Sequence, residues 1–495
     1  MKRVFIANRG EIAVRIIRAC RELGLVSIVG YSDADRASLA VRYADEAYRI
    51  GEAPAPDSYL NIPRLISIME KTNCDAVHPG YGFLAERAAF AAACEKSGIV
   101  FIGPRSEIID LMGDKTRARQ AVAKAGTPVV PGTMEPLKDF AEAQAFAREF
   151  GYPVMIKASA GGGGKGLRLA NIPSELEDGF RLAQSEAQSA FGDSSVYLEK
   201  KIDAPHHVEV QILADHHGHT IHLGERECSI QRRHQKVIEE TPSPFISANT
   251  RKKMTDLAAA AAASIGYTSA GTMEFLVDSQ QNFYFLEMNT RLQVEHPITE
   301  MVTGVDIVKE QIRIASGLPL SYRQQEIRFY GAAIQCRIYA EDPNKRFMPA
   351  PGKITGLRVP GGPGIRDDSG IYEGFEVSIH YDPLLSKLIC WGRDREEAIG
   401  RMKRALEEYQ VLGIKTTIPF FQRIMDDPVF LSGDVNTSFI DEVFFKNHAK
   451  PEEPKEDIAL IAAAIAQESS IRAQPSSGPF KKAAWRLLAR KEGLR

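Results

Sequence analysis

The stretch that most constrains this chain is Phe283-Tyr-Phe-Leu-Glu287-Met-Asn289-Thr-Arg291-Leu-Gln293-Val-Glu295-His296, taken with the apolar run Thr272-Met-Glu274-Phe-Leu-Val-Asp278 just before it. The polar Ser279-Gln-Gln-Asn282 separates the two runs, which predicts a β-hairpin with a four-residue loop. If that loop fixes the register, Asp278 pairs with Phe283 and Glu274 falls opposite Glu287. Carboxylates that face each other across a strand pair repel unless a cation lies between them. The period of two puts Asn289 on the face of Glu287 and carries the same parity on to Arg291, Gln293 and Glu295. Oxygen ligands of this kind suit Mg²⁺ or Mn²⁺, with phosphates and waters completing the octahedron. The plainer alternative is a polar, solvated hairpin face.

Bulk properties exclude several classes. The 495 residues, 44% hydrophobic and 25% charged, are enough for about three globular domains. Basic residues (62) and acidic ones (64) nearly cancel, so no overall field draws the chain to nucleic acid or an anionic membrane. No apolar run approaches the roughly 20 residues of a transmembrane helix. Met1-Lys-Arg leads into a short apolar strand without signal-peptide features, so a cytoplasmic location is expected. Cys20, Cys74, Cys94, Cys228, Cys336 and Cys390 include no CxxC pair, which argues against a zinc site or a disulfide framework.

Residues 2 to about 113 alternate strand and helix: Arg3–Ala7, a helix over Glu11–Leu23, a strand at Val26–Tyr31, then Ala76–His78. This is the pattern of a parallel sheet with crossover helices. The first turn, Ala7-Asn-Arg-Gly-Glu11, lacks G-x-G-x-x-G, and His78-Pro-Gly-Tyr-Gly82 reads as a strand-end loop. Later, strands at Tyr152–Lys157 and Leu167–Ala170 bracket Gly161-Gly-Gly-Gly164-Lys165-Gly166. A glycine run between two strands reads either as a flap whose N–H groups close over phosphates, with Lys157 supplying charge, or as a flexible hairpin tip. Ser195–Ile202 and the alternating His207–Leu213 are further strands. Asp215-His-His-Gly-His219 and His222 look metal-binding by composition, but no partner ligands stand at a zinc spacing and a polar hairpin tip is the expected reading, while Cys228–Lys236 is either a solvated basic loop or an anion site. Asp306–Gly317 is a helix with an aspartate N-cap. Strands follow around Pro349–Gly364, then an amphipathic helix over Arg395–Tyr409.

Three motifs give these pieces a common context: Gln231-Arg-Arg-His-Gln-Lys236, Glu287-Met-Asn-Thr-Arg-Leu-Gln-Val-Glu-His296 and Cys336-Arg-Ile-Tyr-Ala-Glu-Asp342. With Phe5-Ile-Ala-Asn-Arg-Gly-Glu-Ile-Ala13 at the start, the chain resembles the biotin carboxylases, ATP-grasp ligases, from its N-terminus to about residue 446. The resemblance implies an α/β and α+β multidomain fold. Its parts are a Rossmann-like parallel-sheet domain (1–113), an ATP-grasp domain (114–330) with a glycine-rich lid at about 131–203, a mixed α/β C-terminal domain (331–446), and a linker and helical tail (447–495).

The same resemblance implies the site. Lys115, Lys157, Gly163 and Gly164 match phosphate contacts of ATP. Glu199, Lys200 and Ile202 match the adenine hinge, and His207, Gln231 and His234 line the nucleotide site. Glu274, Glu287 and Asn289 match the positions that hold two Mg²⁺ or Mn²⁺ ions, in agreement with the hairpin argument. Lys236, Arg291, Gln293, Val294 and Glu295 match the bicarbonate pocket, with Glu295 as base, and Arg337 matches the residue that meets biotin. Catalytic roles therefore fall to Arg291, Glu295, Lys236 and Arg337.

Arg18 and Glu22, one turn apart, match positions of the family's dimer contact, and otherwise read as an intrahelical ion pair. Met402-Lys403-Arg404 is not the Met-Lys-Met context of a biotinylated lysine. The expected partners are therefore a separate biotin carboxyl carrier protein, a carboxyltransferase, and a second copy of the chain in a homodimer. The tail, ending in the basic and amphipathic Phe480–Arg495, reads as a segment that docks a partner subunit, touches a membrane surface or folds back on its own chain, and partner docking is the favoured expectation. Two other functions fit parts of the pattern: a different ATP-grasp ligase, which has no need of Arg337 and Glu295 together, and a nucleotide-binding scaffold, which has no need of a complete set of metal carboxylates and phosphate lysines.

Overall fold

Short apolar runs closed by turns build a parallel sheet from β1 (Arg3–Ile6), β2 (Val26–Ser32), β3 (Glu46–Gly51), β4 (Ala76–His78) and β5 (Val100–Phe101), in the order β3-β2-β1-β4-β5. The structure is a computed structural model that describes residues 1–159 and 167–447. The glycine run with Gly163 and Gly164, and the tail from 448 onward, lie outside the described residues. Met1–Phe444 form one compact unit, and of a second unit beginning at Phe445 only the short helix Phe445–Asn447 is described.

The helix after β1 spans Gly10–Glu22 and buries Ile12, Val14, Ile16 and Ile17. At its far end the alternative reading of Arg18 and Glu22, an intrahelical ion pair, is not met. Glu22 instead meets Lys309 Nζ at 2.5 Å, because the helix Ile307–Ala315 packs alongside and offers the nearer cation.

A three-stranded antiparallel sheet follows: β6 (Val154–Ala158), β7 (Leu167–Ala170) and β8 (Val196–Lys200), ordered β7-β6-β8. Val154 pairs with Ala170 and Lys157 with Leu167, so the glycine run joins two antiparallel strands. Phe146 and Ala147 of the helix Phe140–Phe150 and Leu176, Phe180 and Ala183 of the helix Pro173–Phe191 close its core.

The largest element is an eight-stranded antiparallel sheet. Its members in chain order are β9 (His206–Ala214), β10 (Thr220–Arg232), β11 (Gln235–Thr241), β12 (Ser269–Val277), β13 (Phe283–Asn289) and β14 (Ala332–Tyr339), then Ile365–Ser369 and Leu384–Gly392. The spatial order is β13-β12-β9-β10-β11-β14, then Leu384–Gly392 and Ile365–Ser369. Ile238 pairs with Cys336 and Thr241 with Ala333, so one hydrogen-bond ladder runs from the hairpin of Glu274 and Glu287 to the C-terminal region.

The β12–β13 register departs from the sequence expectation in one respect. Phe283 pairs with Val277 rather than Asp278, and a bulge at Leu286 restores Glu274 opposite Glu287. The reason is the Asp278 carboxylate, which accepts hydrogen bonds from the backbone N–H of Gln280 and Asn282 and so belongs to the turn. A second bulge, at Val237 on β11, puts Lys236 on the same face as Glu239. All six cysteines are free and buried, and no helix among the described residues is long and apolar enough to cross a membrane.

The parallel-sheet region meets the C-terminal strands at Gly370, where an added Cβ would lie 2.8 Å from Glu11 N and 2.9 Å from Gly10 C. Backbone atoms have nowhere to go, so Gly370→Ala is expected to cost about 1–3 kcal/mol. Gly361→Ala, with nothing within 4 Å, serves as the control. Thermal midpoints of the two variants check this, and equal midpoints would contradict it.

Candidate active site

The site is assembled around one ammonium. Lys236 Nζ lies 2.5 Å from Glu209 Oε2 of β9, 2.8 Å from Glu274 Oε1 of β12 and 2.9 Å from Glu295 Oε1. Burial alone would lower its pKa, but the carboxylates of Glu209, Glu274 and Glu295 hold it well above the ordinary lysine value. Glu295 itself immediately precedes the helix His296–Thr303, its side chain makes no capping hydrogen bond, and it is fully buried. Burial would raise its pKa, yet Lys236, Arg337 and Arg226 hold it well below the usual carboxylate range.

Arg337 reaches Glu295 from β14, its Nη2 standing 3.0 Å from Glu295 Oε2. Its Nε donates to Glu239 Oε1 at 2.6 Å, and Gln335 Nε2 donates to Glu239 Oε2 at 3.0 Å. Glu209 is tied from behind by Arg226, whose Nε lies 2.5 Å from Glu209 Oε1; Nη1 of the same guanidinium donates to Gln211 and Thr299.

The amide of Gln231 donates through Nε2 to the Cys228 carbonyl at 2.9 Å and to His207 Nδ1 at 2.8 Å. Nδ1 therefore accepts and Nε2 carries the proton; Nε2 lies 2.7 Å from Glu274 Oε2. Glu274 Oε1 accepts further from Asn289 Nδ2 at 2.8 Å and Gln293 Nε2 at 3.0 Å. Arg291 spans the next positions, giving Nη2 to Asn289 Oδ1 at 2.9 Å and Nη1 to Gln293 Oε1 at 2.5 Å. Its Nε takes Glu86 Oε2 at 3.0 Å, a carboxylate delivered from the parallel-sheet region.

Opposite this wall, Lys115 Nζ lies 3.4 Å from Glu287 Oε2. Lys157 of β6 and the fully buried Arg119 both bind the Glu199 carboxylate of β8. All the sequence-predicted site residues that the structure describes, including Lys200, Ile202, His234 and Val294, line one cleft of about 870 Å³.

The basic segment Cys228–Lys236 is neither a loose loop nor a uniform anion site. It is the β10–β11 hairpin, turning through Arg233 and His234 with φ of 50° and 65°. Two-residue turns with positive φ usually take Asn-Gly, so side chains here carry a strain of about 1–3 kcal/mol. Arg232 is spent on structure, pairing with Glu341 at 2.8 Å and stacking on Phe347, while His234 faces the cleft. The histidine-rich tip at 215–219 is organised by Asp215, whose carboxylate accepts from the backbone of His217, His219 and Leu320.

The donor set suits a hard divalent ion. Glu287 presents a carboxylate whose side chain is 36% exposed and which makes the longer contact to Lys115, whereas Glu274 is buried and already fully engaged. Glu287 would meet a cation with little rearrangement, and Glu274 would have to give up a donor to reach one.

Glu209, Glu239, Glu86, Arg119 and Arg226 escaped the sequence reading. A signal existed for Glu209: His207-Val-Glu209-Val-Gln211 alternates, but the strand is buried along its whole length, so its polar face had to be paired internally. Glu86 gives no local signal, because its partner lies 205 residues away.

Lys115, at the start of the helix Lys115–Lys124, and Lys157 of the three-stranded sheet line a nucleotide-sized cleft together with carboxylates of the eight-stranded sheet, the arrangement of an ATP-grasp ligase. Residues 1–109 match the family model described as Biotin carboxylase, N-terminal domain. Residues 114–323 match Carbamoyl-phosphate synthase L chain, ATP binding domain, and 335–442 match Biotin carboxylase C-terminal domain. Biotin carboxylase 1 of Bacillus subtilis is 52% identical over 442 residues, covering 89% of this chain and 98% of its own. A pyruvate carboxylase subunit from Methanothermobacter thermautotrophicus is 55% identical over 440 residues, 89% of each. The biotin carboxylase domain dimer of Hydrogenobacter thermophilus 2-oxoglutarate carboxylase, solved with MgADP, ADP and bicarbonate, superposes with a TM-score of 0.86 at 50% identity, covering 90% of this chain and 98% of that one. The chain belongs to the biotin carboxylase family.

Removing the central cation strands three buried carboxylates. Lys236→Met is therefore expected to destabilise the fold by about 3–5 kcal/mol, as breaking a buried ion pair does. Thermal unfolding checks it, and a change within the roughly 0.5 kcal/mol of an ordinary surface substitution would contradict it.

Proposed function

We propose that this chain carboxylates biotin carried on a separate protein, using ATP and bicarbonate and releasing ADP and phosphate. The observation that carries the reading is the convergence of Lys236 and Arg337 on Glu295: a buried carboxylate set between two cations suited to anionic or enolate-like partners. A ligase that attacks an acyl phosphate with an amine has no use for that pairing.

The chemistry follows from the residue types. Bicarbonate takes its place against Lys236 and Arg291, drawing Lys236 away from Glu295. Relieved of one cation, Glu295 becomes basic enough to accept the bicarbonate O–H proton. The resulting oxyanion attacks the γ-phosphorus of ATP, ADP leaves, and carboxyphosphate forms, with Lys115 and Lys157 offsetting charge on the transferring group. Carboxyphosphate divides into CO₂ and phosphate, and the phosphate removes the N1′ proton of biotin. Arg337 stabilises the charge that develops on the ureido oxygen, and N1′ attacks CO₂. Water has to be excluded while carboxyphosphate persists, a role that suits the glycine run between β6 and β7.

Glu274, Glu287 and Asn289 are proposed to hold two Mg²⁺ or Mn²⁺ ions, which when bound neutralise the β- and γ-phosphates. The proposed division is 1–113, 114–330, 331–446 and a tail at 447–495. A homodimer through the face of Arg18 and Glu22, a biotin carboxyl carrier protein, a carboxyltransferase docked in part by the tail, and a cytoplasmic location complete the reading. The dimeric 2-oxoglutarate carboxylase domain supports it, as does the Methanothermobacter relative, named as one subunit of a pyruvate carboxylase.

ADP release from ATP and Mg²⁺ is expected to depend on bicarbonate and to rise when free biotin is added. Release indifferent to bicarbonate would point to another ligase. Arg337→Ala is expected to retain ATP and metal binding but to lose biotin carboxylation, measured as carboxybiotin formed. Unchanged carboxylation would remove Arg337 from the mechanism.

A further inference from the structure

Glu239 has no part in the chemistry above, although the guanidinium of Arg337 is fastened to it. It stands on β11 directly across from Gln335 on β14, in the ladder that joins the two strands, and is 0% exposed. Its Oε1 takes both Nε of Arg337, at 2.6 Å, and Nη2, at 2.5 Å, so one oxygen grips an entire edge of the guanidinium. Its Oε2 is fixed by Gln335 Nε2 at 3.0 Å. Nη2 also reaches Glu295 Oε2 at 3.0 Å, which leaves Arg337 shared between two carboxylates of different character. Glu295 lines the cleft, whereas Glu239 sits behind Arg337 and is not among the cleft-lining residues.

We infer that Glu239 is the positioning residue of Arg337: it holds the Nε–Nη2 edge against the sheet so that the guanidinium presents itself to biotin instead of closing onto Glu295. The inference rests on the reading of Arg337 as the biotin contact. Three features support it. An arginine side chain has many rotamers to lose, and a partner on a paired strand removes that freedom before the substrate arrives. A buried carboxylate is expensive unless paired, and burial pushes the Glu239 carboxyl up to about 7 against the pull of Arg337, so a role in packing alone is better served by an apolar residue. Without Glu239, Arg337 is left to Glu295, and full engagement there both withdraws Arg337 from biotin and adds to the charge that restrains the base.

The test is steady-state kinetics of the full chain with ATP, Mg²⁺, bicarbonate and free biotin. Glu239→Gln is expected to raise the KM for biotin about tenfold or more, the loss of one or two charge-assisted hydrogen bonds. Its KM for ATP and its bicarbonate-dependent ADP release without biotin are expected to stay within about twofold of the parent. The double variant Glu239→Gln with Arg337→Ala is expected to be no worse in biotin carboxylation than Arg337→Ala alone, because Glu239 acts through Arg337.

An unchanged KM for biotin in Glu239→Gln, with Arg337→Ala inactive in biotin carboxylation, would overturn the inference and leave the reading of Arg337 intact. Full biotin carboxylation by Arg337→Ala would overturn that reading and the inference with it. A proportional loss of the biotin-independent reaction in Glu239→Gln would also overturn the inference, since Glu239 would then support the whole cleft. If Glu239→Gln does not fold, Glu239→Asp draws the carboxylate back by one methylene and is expected to give the same split, and a folded Glu239→Asp without it would be equally decisive.

Discussion

A single buried ammonium, that of Lys236, ties together parts of the chain with no other reason to meet. Its carboxylate partners come from β9, from β12 and from the start of the helix His296–Thr303, and it rises from β11 itself. Each carboxylate has a second cationic or polar partner: Arg226 for Glu209, His207 for Glu274 and Arg337 for Glu295. Buried charges of this density are tolerable only when every one is paired, because desolvation costs several kcal/mol per ion. The charges therefore restrain one another: moving any one leaves another without a partner. Such a network specifies geometry better than it contributes stability, which suits a site that has to hold reacting atoms in line.

The same pairing bears on how substrates of the proposed reaction would enter. Lys236 and Arg337 are paired with carboxylates, so in the proposed reaction each substrate would enter by exchange. Exchange keeps the desolvation penalty low, since a cation passes from one anion to another without crossing water. In the proposed reaction it would also connect the basicity of Glu295 to the anions that draw its cations away.

Much of this is legible in the sequence. The spacing of Glu274 and Glu287 across a polar loop places them opposite each other, and the pairing holds even though Asp278 joins the turn and a bulge at Leu286 makes up the difference. A strand period tolerates two compensating errors of this kind, but a bulge itself leaves no mark in sequence. The parallel sheet and the strand–glycine–strand arrangement are also legible, because both depend on local periodicity. What stays hidden are partners fixed by long-range pairing: Glu86 for Arg291, Arg226 for Glu209 and Glu239 for Arg337. The basic segment is the instructive case. Composition suggests one shared role for its cations, whereas hairpin geometry sends neighbouring side chains to opposite faces, so Arg232 packs on Phe347 while Lys236 enters the site.

The continuous ladder from β13 to Ile365–Ser369 bears on how such a chain can be divided. The matched sequence families stop at residue 323 and resume at 335, a natural place to cut or to graft. The hydrogen bonds disregard that boundary, since β11 completes its pairing only with β14. A fragment ending near 330 would expose the long edge of β11 with its row of unpaired amides and carbonyls, a template for association with other copies. The bounds of the matched families are therefore not bounds of the sheet, and a chimera joined at that seam would have to conserve both strands of the ladder.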